Sequence, residues 1–300
     1  MLTPAQVRQL RDELNRLASS TWHKVEVGPR RGLAFGEESI TDHNLFELDR
    51  RCTGVEVYKF YHREEALNGA DFEWYIGDAA DGWIGIRFQA KKLDDEAYLG
   101  LGHRVGTQRQ YDILLKAAAA DGLWPLYCFY NGWSGAWPNG IRNAVCPNGF
   151  TPARTGIGKG CRHAKLEHFG CALAPASYVA RRHRSAPRVG RLALDDYLAH
   201  SRPWSHIFEI ITDRSDPLDS STVIRQISAT LHSWFAASAS DGQETVEPDY
   251  VLGIPDNGGR LVRLPPWLMA VRQGEARYDD GYLPRLALVL DLDAVEGRDN

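Results

Sequence analysis

The sequence lacks any long hydrophobic run. No apolar stretch approaches the roughly 18 residues that a membrane-spanning helix requires. The first 20 residues are polar and amphipathic, without the apolar central region of a secretory signal peptide. We therefore expect a cytoplasmic protein with no membrane partner.

Cysteine is also scarce, with five residues in a chain of 300. An odd, small number in a long chain is typical of reduced thiols and does not predict a disulfide framework. Zinc ligands would have to come from Cys146, Cys161, His163, His168 and Cys171. Their C-x-H and H-x-x-C spacings match no common zinc-finger pattern, so the sequence does not predict a zinc site.

Several catalytic motifs are missing. The glycine-rich segment at 156–160 lacks the G-x-x-x-x-G-K-[ST] pattern of a nucleoside-triphosphate loop. We find no nucleophile elbow, kinase motif set or dinucleotide fingerprint. These absences argue against the corresponding enzyme classes.

Acidic residues are nearly absent between Asn139 and Arg191. This segment contains ten Lys/Arg and one acid, for a net charge of +9, whereas the rest of the chain is at −13. A basic segment in an acidic protein is typical of a polyanion-binding surface. The candidate nucleic-acid contacts are Arg154, Lys159, Arg162, Lys165, Arg181, Arg182 and Arg184. The alternative is a solvated surface loop; Trp133 and Trp137 beside it could likewise stack on bases or anchor that loop.

The first 131 residues have a mixed helix and strand pattern. Thr3-Pro4 begins a helix, and a second helix at 35–51 has Glu37 and Glu38 near its start. A short strand at 55–61, a hairpin, a helix at 107–120 and an apolar strand at 123–131 follow. This order predicts a mixed α/β core over residues 1–131, close to the usual size of a domain.

The second half is less regular. Residues 132–160 resemble a loop, helices are predicted at 176–184, 192–200 and 222–237, and a polar linker at 238–247. Late strands are predicted at 249–254 and 285–292, the second nearly continuously apolar. Residues 132–300 could form a C-terminal α+β extension packed on the first sheet or a second domain.

The predicted hairpin, Gly69 to Lys92, concentrates polar chemistry. Its strands at 70–76 and 83–91 each alternate between an apolar face and a face with acid, amide or ammonium groups. Pairing the strands brings Asp71 to the same end as Gln89, Ala90 and Lys91. Such a cluster can hold a divalent metal and contact a phosphate.

The segments GAD, QAK, EESITD, QYDILL and PLYCFYN resemble the PD-(D/E)XK nuclease superfamily, over about residues 35–131. The branch with Gln at the acidic position, as in Mrr-like restriction enzymes, is the most similar. Uncharacterised bacterial proteins interpreted as such nucleases share the pattern. The resemblance implies a restriction-endonuclease-like mixed sheet flanked by helices, and an Mg²⁺- or Mn²⁺-dependent endonuclease.

The resemblance also implies roles for individual residues. Asp71 matches the metal-ligating aspartate, and Gln89 matches the acidic ligand position, with the Ala90 carbonyl as a further ligand. Lys91 matches the lysine that orients the attacking water and offsets charge on the phosphorane. Glu38 is the first choice for the helix glutamate that completes the metal site.

Other residues have supporting roles on the same interpretation. Glu37 is the second choice for the helix glutamate, and Glu73 shares a strand face with Asp71. Gln110 and Tyr111 lie on the following helix, where related nucleases often have a Gln that contacts the site; a surface Gln and a core Tyr are the alternative. The neutral Gln89 departs from the acidic pattern and favours one-metal over two-metal chemistry.

The sequence thus predicts hydrolysis of DNA phosphodiester bonds, with a role in antiviral defence implied by the resemblance. The alternatives are an RNase with the same site, and an inactive module that binds nucleic acid or recruits a partner. A homodimer is expected because cleavage of two DNA strands requires two active sites. The sequence leaves open whether an activator or partner protein is also needed.

Overall fold

The structure is a computed structural model of the chain. It describes residues 3–60, 69–94, 97–133, 166–185, 195–198, 200–208, 218–240, 253–275 and 284–294. Among these residues, no helix has the length and apolar character to cross a membrane.

The protein has an α/β fold built on one mixed sheet. The strands of the described residues are β1 (Val55–Lys59), β2 (Phe72–Asp78), β3 (Gly82–Asp94), β4 (Ala97–Tyr98), β5 (Arg104–Val105), β6 (Gln108–Arg109), β7 (Trp124–Tyr130), β8 (Cys171–Pro175), β9 (Arg202–Pro203), β10 (Arg260–Leu261) and β11 (Leu286–Asp291). The α-helices are α1 (Pro4–Val27), α2 (Glu37–Arg51), α3 (Gln110–Asp121), α4 (Ala176–Ser185), α5 (Asp195–Leu198), α6 (Ser220–Ser240) and α7 (Pro266–Arg272).

The sheet combines segments that are distant in sequence. Its strand order is β1-β11-β2-β3-β7-β8-β9, with β4 and β10 also paired to β3. β11 is antiparallel to β1 and parallel to β2, and β3 is parallel to β7. Strands from both sides of residue 131 therefore share one sheet, and the late strand β11 lies between two early ones.

The predicted hairpin forms as β2 and β3. Phe72 pairs with Phe88 and Trp74 with Ile86 in the antiparallel register. Asp78 closes the turn, because its Oδ1 accepts hydrogen bonds from the backbone N–H groups of Ala80 (3.0 Å) and Asp81 (2.7 Å). Both faces of the hairpin are buried, since Glu73 and Gln89 on the polar face are no more exposed than the apolar side chains.

Helices cover the two sheet faces. The apolar hairpin face packs in a large core with α1 and α6, whose residues Leu14, Leu17, Ile227 and Leu231 are completely buried. α1 begins with a capping box formed by Thr3 and Gln6, with proline in its first turn, as the sequence predicts. The opposite face packs a smaller cluster that includes residues of α3 and α7.

Several predicted boundaries differ from the structure. The helix predicted from residue 107 begins at Gln110, because Gln108–Arg109 pairs with Arg104–Val105 as a short antiparallel ribbon. The strand predicted at 249–254 is wrong at its described end: Gly253 has φ +60° in a turn, and Pro255 follows. Residues 249–252, 192–194, 199 and 241–247 of the predicted elements lie outside the described residues.

Candidate active site

The hairpin end brings Asp71, Gln89, Ala90 and Lys91 together, as the sequence predicts. Asp71 immediately precedes β2 and its backbone N–H donates to the Phe88 carbonyl at 2.8 Å. Its Oδ2 accepts hydrogen bonds from the Ala90 N–H (2.6 Å) and from the Gln89 side-chain amide. These bonds fix the Asp71 carboxylate against β3.

The Gln89 side-chain amide lies among the predicted ligand oxygens. Its Nε2 donates to Asp71 Oδ2 and is 3.2 Å from the Ala90 carbonyl oxygen. Two of the ligand oxygens that the resemblance implies, those of Asp71 and Ala90, therefore lie around one point, which the Gln89 NH₂ group occupies. Gln89 Oε1 is buried and accepts no hydrogen bond from the described part of the chain.

Asp71 is half-buried, and its surroundings favour the protonated form of its carboxyl group. The pKa of Asp71 is raised from its ordinary 3.8 to about 6, mainly by desolvation and to a smaller extent by the nearby Glu37 charge. Lys91, the Ala90 N–H and Arg285 act in the opposite direction on this pKa. A bound cation would favour the ionised form of this group.

Lys91 lies between the hairpin and α2. Its Nζ is 3.7 Å from Glu37 Oε2, and Glu37 Oε1 accepts the Lys92 backbone N–H at 2.8 Å. Glu37 is the first residue of α2 and is half-buried, whereas the next residue, Glu38, is exposed. The structure therefore places Glu37, and not Glu38, beside Lys91. Glu38, the first choice from the sequence, faces solvent. The two differ because adjacent helix positions are rotated by about 100° around the helix axis.

Glu73 does not join this cluster. Its Oε1 pairs with Arg87 Nε at 2.6 Å, and its Oε2 accepts a hydrogen bond from the Tyr75 hydroxyl at 2.5 Å. Arg87 Nη2 reaches Asp121, the last residue of α3, at 2.7 Å. Both Glu73 oxygens thus have partners in a buried ion pair, so the supporting metal role predicted for Glu73 does not fit the structure.

The first turn of α3 packs tightly on the chain before Asp71. Gly69 has φ +69°, and a Cβ atom there would lie 2.6 Å from the Gln110 carbonyl oxygen. Gln110 Oε1 is buried with no hydrogen-bond partner among the described residues. Tyr111 is a core residue whose hydroxyl contacts His183 Nδ1 at 3.4 Å, which matches the alternative interpretation of this position.

Arg285 is a neighbour of Asp71 that the sequence did not predict. The parallel register pairs Leu286 with Phe72, which places Arg285 beside Asp71 on the adjacent strand. Its Nη1 bonds Asp42 Oδ1 of α2 at 2.5 Å, and the side chain is almost buried. The apolar run LALVLDL predicts a buried strand, but nothing in the sequence indicates that this strand lies next to β2.

The described arginines of the basic segment contact protein groups. Arg182 pairs with Asp196 (2.9 Å), Arg184 with Asp112 of α3, and Arg181 donates to the Ser238 carbonyl (2.6 Å). These three contacts hold α4 against α5, α3 and α6, so the three arginines have a structural role. The candidates Arg154, Lys159, Arg162 and Lys165 lie outside the described residues.

The structure describes some of the candidate base-stacking tryptophans and zinc ligands. Trp133 packs on Trp22 with ring centroids 4.1 Å apart, as expected for a loop anchor. Cys171 is a buried free thiol that contacts Thr21, and His168 lies in a nearby 3₁₀ turn. Trp137, Cys146, Cys161 and His163 lie outside the described residues.

The described residues contain no group of three or more His, Cys, Asp or Glu side chains arranged for a metal ion. A metal at the Asp71 cluster would consequently depend on one carboxylate together with neutral amide and carbonyl oxygens. Such hard oxygen donors suit Mg²⁺, which retains several water ligands in proteins.

Comparison with known proteins identifies a family without a known activity. No curated protein and no solved structure matches the chain. A family model described as a family of unknown function, DUF6615, matches residues 10–288. Because this match spans nearly the whole sequence, the chain belongs to the DUF6615 family.

Proposed function

We propose that this protein is a metal-dependent nuclease that hydrolyses phosphodiester bonds, with DNA as its substrate. The observation that supports this most directly is the convergence of Asp71 Oδ2 and the Ala90 carbonyl oxygen on one point, with Lys91 two residues beyond Gln89. Carboxylate and neutral oxygens beside a nearly buried ammonium group form a combination suited to metal-assisted phosphoryl chemistry. The choice of DNA rests on the sequence resemblance.

The residues present fit a divalent metal ion. Asp71, Gln89 through Oε1 and the Ala90 carbonyl would hold it, and the buried Gln89 Oε1 lacks a described protein partner. When bound, Mg²⁺ lowers the pKa of a coordinated water and stabilises charge on the phosphate oxygens. Burial of Asp71 favours a cation at this position, because the carboxylate charge is poorly solvated.

The other side chains supply charge and orientation. Lys91 places positive charge at the cluster, where negative charge grows on the phosphoryl oxygens during hydrolysis. Glu37 holds Lys91 through the 3.7 Å contact and is itself fixed by the Lys92 N–H. Because Lys91 is nearly buried, its charge acts through a medium that screens it less than water does.

A cleavage assay tests the proposal. Linear, supercoiled and single-stranded DNA, and RNA, would be incubated with Mg²⁺, Mn²⁺ or EDTA. We expect DNA cleavage with either metal, none with EDTA, and a loss of at least about 10²–10³-fold in kcat for Lys91→Ala, by analogy with loss of one charge-stabilising donor. Equal activity of wild type and Lys91→Ala would contradict the proposal, and cleavage of RNA alone would reassign its substrate.

Glu37 and Glu38 provide a matched pair of variants. We expect Glu37→Gln to lower kcat by about 10–100-fold, the usual range for a residue that orients a catalytic group. Glu38→Gln, one position away and exposed, should stay within about twofold of wild type. Initial rates under saturating DNA and Mg²⁺ measure both, and a larger loss for Glu38→Gln would restore the first choice from the sequence.

A further inference from the structure

Three polar side-chain oxygens without a described partner occur around the candidate site: Gln89 Oε1, Gln110 Oε1 and the Tyr127 hydroxyl. Buried polar groups in native proteins are nearly always hydrogen-bonded, so such groups require an explanation. Gln89 and Tyr127 are both at most 1% exposed. A water molecule or a ligand would satisfy both groups.

Tyr127 is the strand neighbour of Gln89. The parallel register of β3 and β7 pairs Gln89 with Tyr127, which puts their side chains on the same sheet face about 5 Å apart at the backbone. Burial raises the pKa of Tyr127 well above its ordinary value, with smaller contributions from Tyr197 and Asp71. The face is the one against which the first turn of α3 packs.

The Gln89 amide has two possible orientations with opposite consequences. In the structure its NH₂ group faces two acceptors, Asp71 Oδ2 and the Ala90 carbonyl, and Oε1 is left without a described partner. A metal ligated by Asp71 and Ala90 requires the amide to present Oε1 instead, because a cation cannot bind an NH₂ group. The NH₂ group then needs an acceptor on the other side.

We propose that Tyr127 is the positioning residue for Gln89: a water bound to its hydroxyl accepts a hydrogen bond from the Gln89 NH₂ group and so stabilises the amide in the orientation that binds metal. This inference rests on the proposed function. A phenol hydroxyl can accept a hydrogen bond, and a single bridging water is nearly as effective as a direct bond. Tyr127 therefore acts through Gln89 and does not itself contact the metal.

Tyr127→Phe removes this one hydroxyl and preserves the ring. We expect the variant to bind Mn²⁺ about tenfold more weakly, in the range found for residues that orient metal ligands. Its melting temperature without metal should equal or exceed that of wild type, because a buried hydroxyl without a partner is removed. Mn²⁺ titration followed by electron paramagnetic resonance measures the affinity independently of cleavage.

Tyr130→Phe is the matched control on the same strand. The Tyr130 hydroxyl bonds Thr41 Oγ1 at 2.7 Å, so its removal should lower the melting temperature without metal and leave Mn²⁺ affinity unchanged. Gln89→Met removes the amide altogether, so adding Tyr127→Phe to it should have no further effect on Mn²⁺ affinity.

The outcomes separate this inference from the nuclease proposal. Unchanged Mn²⁺ affinity in Tyr127→Phe would overturn the role of Tyr127 even if the wild type cleaves DNA. An additive effect in the Gln89→Met background would overturn it as well. Weakened Mn²⁺ binding in Tyr127→Phe, together with a wild type that cleaves no nucleic acid, would support the role of Tyr127 and reject the nuclease.

Discussion

Asp71→Asn should abolish metal-dependent cleavage and at the same time stabilise the metal-free protein at neutral pH. The first effect follows because Asp71 is the one carboxylate among the proposed ligands, so the variant retains only neutral oxygens for Mg²⁺. We expect a loss of at least about 10³-fold in kcat/KM, comparable to removal of a principal transition-state contact. The second effect follows from the environment of the carboxylate.

The sign of the stability change depends on pH. Burial raises the folded-state pKa of Asp71 from 3.8 to about 6, against the attraction of Lys91 and Arg285 and with added repulsion from Glu37. Folding is therefore favoured by protonated Asp71 below about pH 4, and this contribution is lost as the pH rises through 6. A shift of about two pKa units corresponds to roughly 3 kcal/mol. This value is the upper limit for the increase in unfolding free energy that Asp71→Asn produces at pH 7.5.

Urea unfolding at several pH values measures this gain. The difference in unfolding free energy between Asp71→Asn and wild type should be about 2–3 kcal/mol at pH 7.5 and near zero at pH 4, without metal. Mg²⁺ should raise the melting temperature of wild type at pH 7.5 and leave the variant unchanged. A variant less stable than wild type at pH 7.5 would show that hydrogen bonds to the carboxylate outweigh its desolvation.

The second large effect concerns the ion pair of Glu73 and Arg87. Both side chains are at most 2% exposed. Glu73 lies two residues after Asp71 and Arg87 two residues before Gln89, so all four side chains share one face of the hairpin. Arg87→Met leaves the Glu73 carboxylate buried without its guanidinium, with only the Tyr75 hydroxyl as a described donor. We expect a loss of about 3–5 kcal/mol in unfolding free energy, the usual result of breaking a buried pair.

Two further variants determine whether burial is the cause. Asp121→Asn removes the other Arg87 partner, but the Asp121 side chain is 54% exposed, so the cost should stay below about 1 kcal/mol. The double variant Glu73→Gln/Arg87→Met removes both charges and should be more stable than Arg87→Met alone. Thermal and urea unfolding measure all three, and a loss below 1 kcal/mol for Arg87→Met would contradict the prediction.

The sequence predicts the hairpin well because its information is local. Alternation in 70–76 and 83–91 determines which side chains share a face, and the short turn determines their register. Asp71, Gln89 and Lys91 were therefore identified together. The same register also places Glu73 opposite Arg87. The residue types alone, however, do not decide whether the Glu73 carboxylate pairs with that arginine or binds a metal ion.

The sequence predicts less well where distant segments meet. The choice between Glu37 and Glu38 depends on how α2 is rotated against the sheet, which its amphipathic pattern specifies only coarsely. Arg285 lies more than 200 positions from Asp71, and its place depends on strand order, for which one sequence offers no signal. Predicting Tyr127 as a functional residue would require the register of β3 with β7, since an aromatic in an apolar strand ordinarily indicates core packing.

The position of β11 has a consequence for protein synthesis. A ribosome releases β1, the hairpin and α3 well before residues 286–291 exist, so β1 and β2 have no partner between them until those residues have been synthesised. Pairing of such distant segments is slow, and it leaves open strand edges on the nascent chain. Fragments that end before residue 285 would lack both this strand and Arg285, so the neighbourhood of Asp71 forms only after that part of the chain has been made.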